Sequence, residues 1–182
     1  MDPTALLQHY FADAPEAGTI VLEHSRLVAA KALQITDHCC MAGLDRQFIE
    51  EAALLHDIGV CRVHAPGMGL IGANPYICHG ILGREILERE GLARHALVCE
   101  RHIGVGLTIE DIRAQQLPLP HRDMVPVSRE EQIVCCADLF YSKHPGKIAV
   151  EKSLADVKQS LARFGSNKVS TFETWQQLFS LT

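Results

Sequence analysis

The sequence lacks most of the features that announce a specialised class. No Cys-x-x-Cys pair occurs among its seven cysteines, which argues against a zinc ribbon or a thioredoxin-type redox site. Nothing approaches the roughly 18 uninterrupted apolar residues of a membrane helix, and Met1-Asp2-Pro3 opens no basic region followed by an apolar one. No run of five basic residues occurs, and 17 Lys and Arg against 22 Asp and Glu leave a formal charge of −5. That is the wrong sign for a nucleic-acid clamp or a binder of anionic membranes. Internal repeats, low-complexity tracts and apolar–polar alternation are missing too, so solenoids, flexible linkers and half-buried sheets find no support.

What is present is ordinary bulk and an unusual number of histidines. With 182 residues, 47% hydrophobic and 21% charged, the chain is long enough for one globular unit with a sizeable core and too short for several. Most cysteines lie in apolar runs such as Ile133-Val134-Cys135-Cys136-Ala137, where a free thiol behaves as a small hydrophobe. A reducing, cytoplasmic setting and a soluble chain are therefore expected. The ten histidines outnumber the three Tyr and one Trp together.

Periodicity predicts helices throughout. Asp2-Pro3 caps and opens a short helix to about Phe11. From Thr19 to about Met41, Ile20, His24, Leu27, Val28, Lys31 and Ile35 recur every three or four residues, which puts His24 on the inward face. Asp45 caps a third helix whose stripe of Phe48, Ile49, Ala52, Ala53 and His56 runs up to Gly59, so His56 and Asp57 fall in its last turn. Between Val60 and Asn74, Pro66, Gly67, Gly69 and Gly72 mark an irregular loop. Asn74-Pro75 opens a fourth helix with His79, Leu82, Gly83, Ile86 and Leu87 on one side; a fifth, from about Ala93, carries His95, Val98, Cys99 and His102 in register.

Thr108 with Asp111 forms a capping-box pattern for a short helix, after which Pro118, Pro120 and Pro126 impose a loop that is a candidate lid or rim. Ser128 with Glu131 supplies another box, for a helix through Ser142 that carries Asp138 and stops at His144-Pro145-Gly146. Ser153 with Asp156 opens the next helix and Ser170 with Glu173 the last. The fold class expected is all-α, in one domain over 1–182.

Different helices thus deliver His24, the pair His56-Asp57, His79, His102 and Asp138 to inward faces. A buried imidazole or carboxylate is costly unless paired or bound, and several that converge are most cheaply satisfied by a metal ion. Taken singly, each histidine reads more readily as a hydrogen-bonded core or surface residue than as a ligand, and spacing alone does not settle it.

The run Glu51-Ala-Ala-Leu-Leu-His-Asp-Ile-Gly59, with His24 ahead of it, His79 and His102 after it and Asp138 behind Ile133-Val134-Cys-Cys-Ala, resembles the HD superfamily of metal-dependent phosphohydrolases. More narrowly, it looks like the HDIG subgroup. The resemblance covers about residues 20–145 and implies an HD-type helical bundle, with the helices of 150–182 packing on it. It also implies that His24, His56, Asp57 and Asp138 hold one metal ion, and that His79 and His102 bind a second with Asp57 bridging. Four His and two Asp suit Fe, Mn, Co, Ni or Zn better than Mg or Ca. The chain departs from the pattern at Val60, where many members carry a Lys that contacts phosphate; Arg62, Arg101, Lys143 or Lys147 could compensate. Asp57, Lys143, Lys147 and Arg101 are accordingly the candidate catalytic residues. His64 and His121, on loops, are candidates for a general acid, whereas His9, His38 and His95 read as surface or structural.

The activity implied is hydrolysis of a small phosphorylated compound, nucleotide-like in kind. Two divalent ions acidify a water molecule and neutralise phosphoryl oxygens as charge moves to the leaving group. Similar ligand sets occur in symmetrical dinucleoside tetraphosphate hydrolases and cyclic-dinucleotide phosphodiesterases; the missing Gly-Tyr-Pro element argues against one cyclic-di-GMP branch. The resemblance leaves two other classes open: a di-iron oxygenase that cleaves C–C or C–P bonds, and a noncatalytic metal-loaded sensor. The partner expected is a small phosphorylated substrate, with no membrane and no nucleic acid.

Overall fold

In a computed structural model, which describes residues 1–39, 41–143, 146 and 148–181, nine α-helices, three short 3-10 helices and one short two-stranded ladder make up the regular structure of the described residues. The helices are α1 (Pro3–Tyr10), α2 (Pro15–His38), α3 (Arg46–Leu55), α4 (His79–Arg89), α5 (Ala93–Arg101), α6 (Ile109–Ala114), α7 (Arg129–Asp138), α8 (Leu154–Ala162) and α9 (Ser166–Leu178). The all-α reading holds. One refinement falls in the 60–74 segment, where β1 (His64–Ala65) pairs antiparallel with β2 (Leu70–Ile71).

Most starts follow the caps in the sequence. Asp2 accepts from the amides of Thr4 and Ala5, Asp45 from Phe48, and complete capping boxes form at Thr108–Asp111 and Ser153–Asp156. Two starts lie four residues earlier than expected, and for one reason. Ser170 is not a cap and Thr19 is not a first residue; their hydroxyls donate back to the carbonyls of Ser166 and Pro15, inside α9 and α2. The true openings are Pro15 at the first helical position of α2 and Gly165 ahead of α9.

The box at Ser128 is half made. Ser128 accepts from the Glu131 amide, while the Glu131 carboxylate takes the Val127 amide and the Arg101 guanidinium. α7 also ends at Asp138 rather than Ser142, because Lys152 folds back on its last turn: its ammonium donates to the Leu139 carbonyl and its amide to the Phe140 carbonyl. The expected stop at His144-Pro145 lies outside the described residues.

The buried side chains form two apolar clusters. One gathers Val28, Phe48, Ile49, Val98, Val134, Phe140, Val157, Phe172 and Phe179, so α8 and α9 share a core with α2, α3 and α7. The other joins α1 to the start of α2, the end of α3, α4, α5 and the 107–124 region through Leu7, Val21, Leu55, Ile86, Cys99 and Met124. His24 falls where α2 passes from one cluster to the other, as His56 does at the end of α3. At that seam the backbone comes close. A Cβ on Gly59 would lie 2.0 Å from the His79 carbonyl oxygen, and one on Gly80 2.8 Å from that of Cys99. Only glycine lets the turn after α3 meet α4, and α4 meet α5, at this distance.

The proline-rich segment is no free lid. Leu119 and Met124 are buried, Met124 exchanges backbone hydrogen bonds with Leu107, and Arg122 pairs with the buried Glu100 of α5, which Arg84 also holds at 2.6 Å. Lys168 of α9 likewise reaches across to pair with Asp111 and donates to the Gly106 carbonyl at 2.9 Å.

Candidate metal centre

Six elements bring six side chains to the seam. His24 comes from the middle of α2, His56 from the residue that ends α3, Asp57 from the start of the 3-10 turn Ile58–Arg62, His79 from the first position of α4, His102 from the end of α5 and Asp138 from the last residue of α7. Helix ends serve well here, since a terminal residue can turn its side chain across the bundle while its backbone stays bonded on one side.

Three of the four imidazoles are oriented by the same device. The ring Nδ1 of His56, His79 and His102 lies 2.6, 2.7 and 2.8 Å from the carbonyl oxygen three residues earlier, on Ala53, Tyr76 and Cys99 respectively. With Nδ1–H donating to a carbonyl, the lone pair is left on Nε2, the arrangement that second-shell partners impose on metal-binding histidines. All the Nε2 atoms face the two carboxylates. His24 Nε2 is 2.9 Å from Asp138 Oδ1 and 3.4 Å from Asp57 Oδ2, and His56 Nε2 is 3.1 Å from Asp57 Oδ2 and 3.5 Å from Asp138 Oδ1. On the other side, Asp57 Oδ1 is 3.6 Å from His79 Nε2 and 3.5 Å from His102 Nε2, which are themselves 3.1 Å apart. The two oxygens of Asp57 therefore face two separate groups of nitrogens.

These atoms fit a cation better than they fit one another. His56 Nε2 and both Asp57 carboxylate oxygens are fully buried and lack a hydrogen bond of acceptable geometry, with Lys143 as an ion-pair partner on Asp57 Oδ2 alone. Two nitrogens such as those of His79 and His102, both bearing lone pairs, gain nothing by facing each other at 3.1 Å. Leaving buried polar atoms unpaired costs about 1–3 kcal/mol each, more when charged, and a divalent cation would satisfy them together. His24, His56 and Asp138 offer ligand atoms within 4.8 Å of one another, as do His56, Asp57 and His102. Donors of this mixed imidazole and carboxylate kind suit a divalent transition metal.

The electrostatics agree. Burial and the neighbouring His102 push His79 down to about 3, and burial with the Lys143 ammonium lowers His24, so both are neutral as ligands must be. Burial opposes ionisation of Asp57 and Asp138, but His56 and Lys143 outweigh it and hold both well below the usual carboxylate range. Without a metal, burial also disfavours the charged form of His56, yet Asp57 and Asp138 prevail and raise it to about 10. Lys143 stands 2.8 Å from Asp57 Oδ2 and stays charged beside both carboxylates. His56 and Lys143 thus supply positive charge that a metal would otherwise bring.

Of the described candidates to replace the missing lysine at Val60, Lys143 is the one brought to the cluster. Arg101 turns to Glu131 at 2.9 Å and Arg62 lies 3.8 Å from Glu85; a residue beside His102 on a helix points about 100° away from it. Lys147 lies outside the described residues. His64 and His121 are exposed, as are His9 and His38, and half-buried His95 contacts Glu51 at 3.2 Å. The reading of the residues missed Tyr76. Its ring lies on that of His79, with centroids 4.9 Å apart, and its hydroxyl faces Lys143. Burial pushes that hydroxyl up to about 12. The available signal was its place three residues before a ligand-type histidine at a helix start. A groove of about 460 Å³ lies between Lys31, Ile35 and His38 of α2 and residues 151–155. It contains none of the six, and chemistry rather than volume identifies the site.

An uncharacterized protein of Methanocaldococcus jannaschii is 37% identical over 121 residues, 65% of this chain and 64% of its own length. The tRNA (cytidine(56)-2'-O)-methyltransferases of Picrophilus torridus and Thermoplasma volcanium are 36% and 32% identical over 127 residues, 69% of this chain. The match spans only 33% of each methyltransferase. Among solved structures, the HD domain of the L. monocytogenes phosphodiesterase PgpH in complex with cyclic-di-AMP superposes with a TM-score of 0.55 at 16% identity, covering 97% of this chain and 94% of that one. At that identity the likeness is one of fold. The family model for the HD domain runs over residues 21–142, from just ahead of His24 to just past Asp138, and with all six clustered side chains inside that span the chain belongs to the HD domain family.

Proposed function

We propose that this protein is a metal-dependent phosphohydrolase acting on a small nucleotide-like substrate. The observation that carries the reading is the set of imidazoles whose Nδ1 atoms are tied to backbone carbonyls, leaving the Nε2 atoms aimed at both oxygens of one buried carboxylate. In this reading His24, His56, Asp57 and Asp138 hold one divalent ion, while Asp57, His79 and His102 hold a second. Fe, Mn, Co, Ni and Zn are the candidates. The chemistry such ions supply when bound is a more acidic water and neutralisation of phosphoryl oxygens.

The chain's own residues do the rest. Neutral His24 and His79 leave a bound cation's charge intact, and the buried Asp57 is shared between both groups of nitrogens. Lys143, charged and partly exposed, is placed to receive a phosphoryl oxygen on the solvent side. The walls around Asp57, which is wholly buried, exclude bulk water and strengthen every charge interaction within them. Support for a nucleotide comes from PgpH, whose HD domain was solved in complex with cyclic-di-AMP.

The test is phosphate release from a panel of nucleotides and dinucleotides by protein reconstituted anaerobically with each metal. Turnover without oxygen is expected. Turnover that requires iron and consumes oxygen would replace this reading with an oxygenase, and metal binding without any turnover would leave a sensor.

A further inference from the structure

The six clustered residues are almost sealed. Among the described residues, Asp57, His24, His56 and His102 have essentially no exposed surface and the His79 side chain has 5%, while more appears at the side chains of Asp138 (15%) and Lys143 (18%) and at Tyr76 (36%). The mouth of the site is therefore where these three meet. Tyr76 belongs there by construction: Pro75, with extended backbone at ψ 149°, feeds a single 3-10 turn, Tyr76–Cys78, directly into α4. That turn sets the Tyr76 carbonyl on His79 Nδ1 at 2.7 Å and its ring across the His79 imidazole. The carbonyl needs no particular side chain. A ring packed on the imidazole would be served as well by Phe, so what the hydroxyl adds is the hydrogen bond it accepts from the Lys143 ammonium at the opening.

Resting on the hydrolase reading above, we infer that the Tyr76 hydroxyl is a catalytic residue, donating a hydrogen bond to a non-bridging phosphoryl oxygen of the substrate alongside the Lys143 ammonium. A phenol donates as well as accepts. Paired with the ammonium, it offers two differently placed donors to an anion arriving at the rim. No proton leaves the phenol in this role: it binds and orients the phosphoryl group, and the developing charge on its oxygens strengthens the hydrogen bond.

The test uses the full chain loaded with Mn²⁺, as wild type and as Tyr76→Phe, with inorganic phosphate as the probe. Three readouts are taken: metal content by elemental analysis, phosphate affinity by calorimetry, and hydrolysis of a panel of aryl phosphomonoesters and diesters. Tyr76→Phe keeps the carbonyl and the ring, so full metal content is expected, with phosphate affinity weakened roughly ten- to a hundred-fold and kcat/KM reduced by a similar factor, the value of a hydrogen bond to a charged group. Unchanged phosphate affinity and turnover, in a wild type that hydrolyses its substrates, would overturn the role of Tyr76 and leave the hydrolase reading standing. Lost metal in Tyr76→Phe would also overturn it, making Tyr76 a positioning residue for His79. A metal-loaded wild type that neither binds phosphate nor cleaves any ester would overturn both.

Discussion

Asp57 is the residue on which the site turns, because its two oxygens face different groups of imidazoles. Asp57→Ala is expected to lose the second metal and to lower hydrolysis at least ~1,000-fold, since charge placed in a water-excluded site is the largest catalytic contribution. Helical content should be nearly intact, as no helix is capped by that side chain. Elemental analysis with circular dichroism checks both halves, and retention of two ions would contradict the bridging role. The histidines make the metal-free protein sensitive to acid. His79, held down to about 3, and His24, also lowered, stay neutral in the fold while the unfolded chain takes up protons below about 6.5. Stability is therefore expected to fall as pH drops from about 6.5, with a further loss below about 4 as Asp57 and Asp138 protonate on unfolding. His56 works at the other end: its contribution is complete below about 6.5 and lost as pH rises through about 10. A melting temperature of the metal-free protein that is the same at pH 5 and pH 7.5 would refute this balance.

At the scale of elements, the site depends on close backbone contacts that put helix ends within reach of one another. Gly59→Ala would drive a methyl to 2.0 Å from the His79 carbonyl. Because that obstacle is backbone, the turn after α3 must move, and a loss of about 3 kcal/mol is expected in urea denaturation, with weakened metal binding because Asp57 and His79 shift apart. A loss under about 1 kcal/mol would show that the turn relaxes freely. The elements also show what one-dimensional pattern misreads. Ser170 looks like a cap, yet it lies inside a helix and spends its hydroxyl on a carbonyl four residues back, as Thr19 does in α2. The Ser-Glu pair at 128 and 131 looks like a capping box, yet Glu131 is drawn to Arg101 on another helix. In both cases the residue type is right for a cap, and the competing partner is invisible along the chain.

At the scale of the whole molecule, a metal would fasten α2, α3, α4, α5 and α7 to one point between two apolar clusters. A ligand that binds only the folded state stabilises it by about 4 kcal/mol at a thousand times its dissociation constant. For a chain of this size that is a rise of roughly 8–16 °C in melting temperature. Calorimetry with excess Mn²⁺ or Zn²⁺, and again after chelation, measures it; no shift with either ion would mean the cluster is satisfied by its own charges. Lys143 and the raised His56 define that metal-free balance.

The sequence by itself determined the all-α architecture and the six clustered side chains, because helical period and cap chemistry are local and because His and Asp at inward positions have few inexpensive alternatives to coordination. Only the tertiary structure decided what those residues face. It tied three imidazoles to carbonyls, turned Arg101 away to Glu131, brought Lys143 to Asp57, pinned the proline-rich loop through Arg122, and set Tyr76 at the mouth. Each of these is a competition among partners distant in sequence, settled by distance and burial in three dimensions.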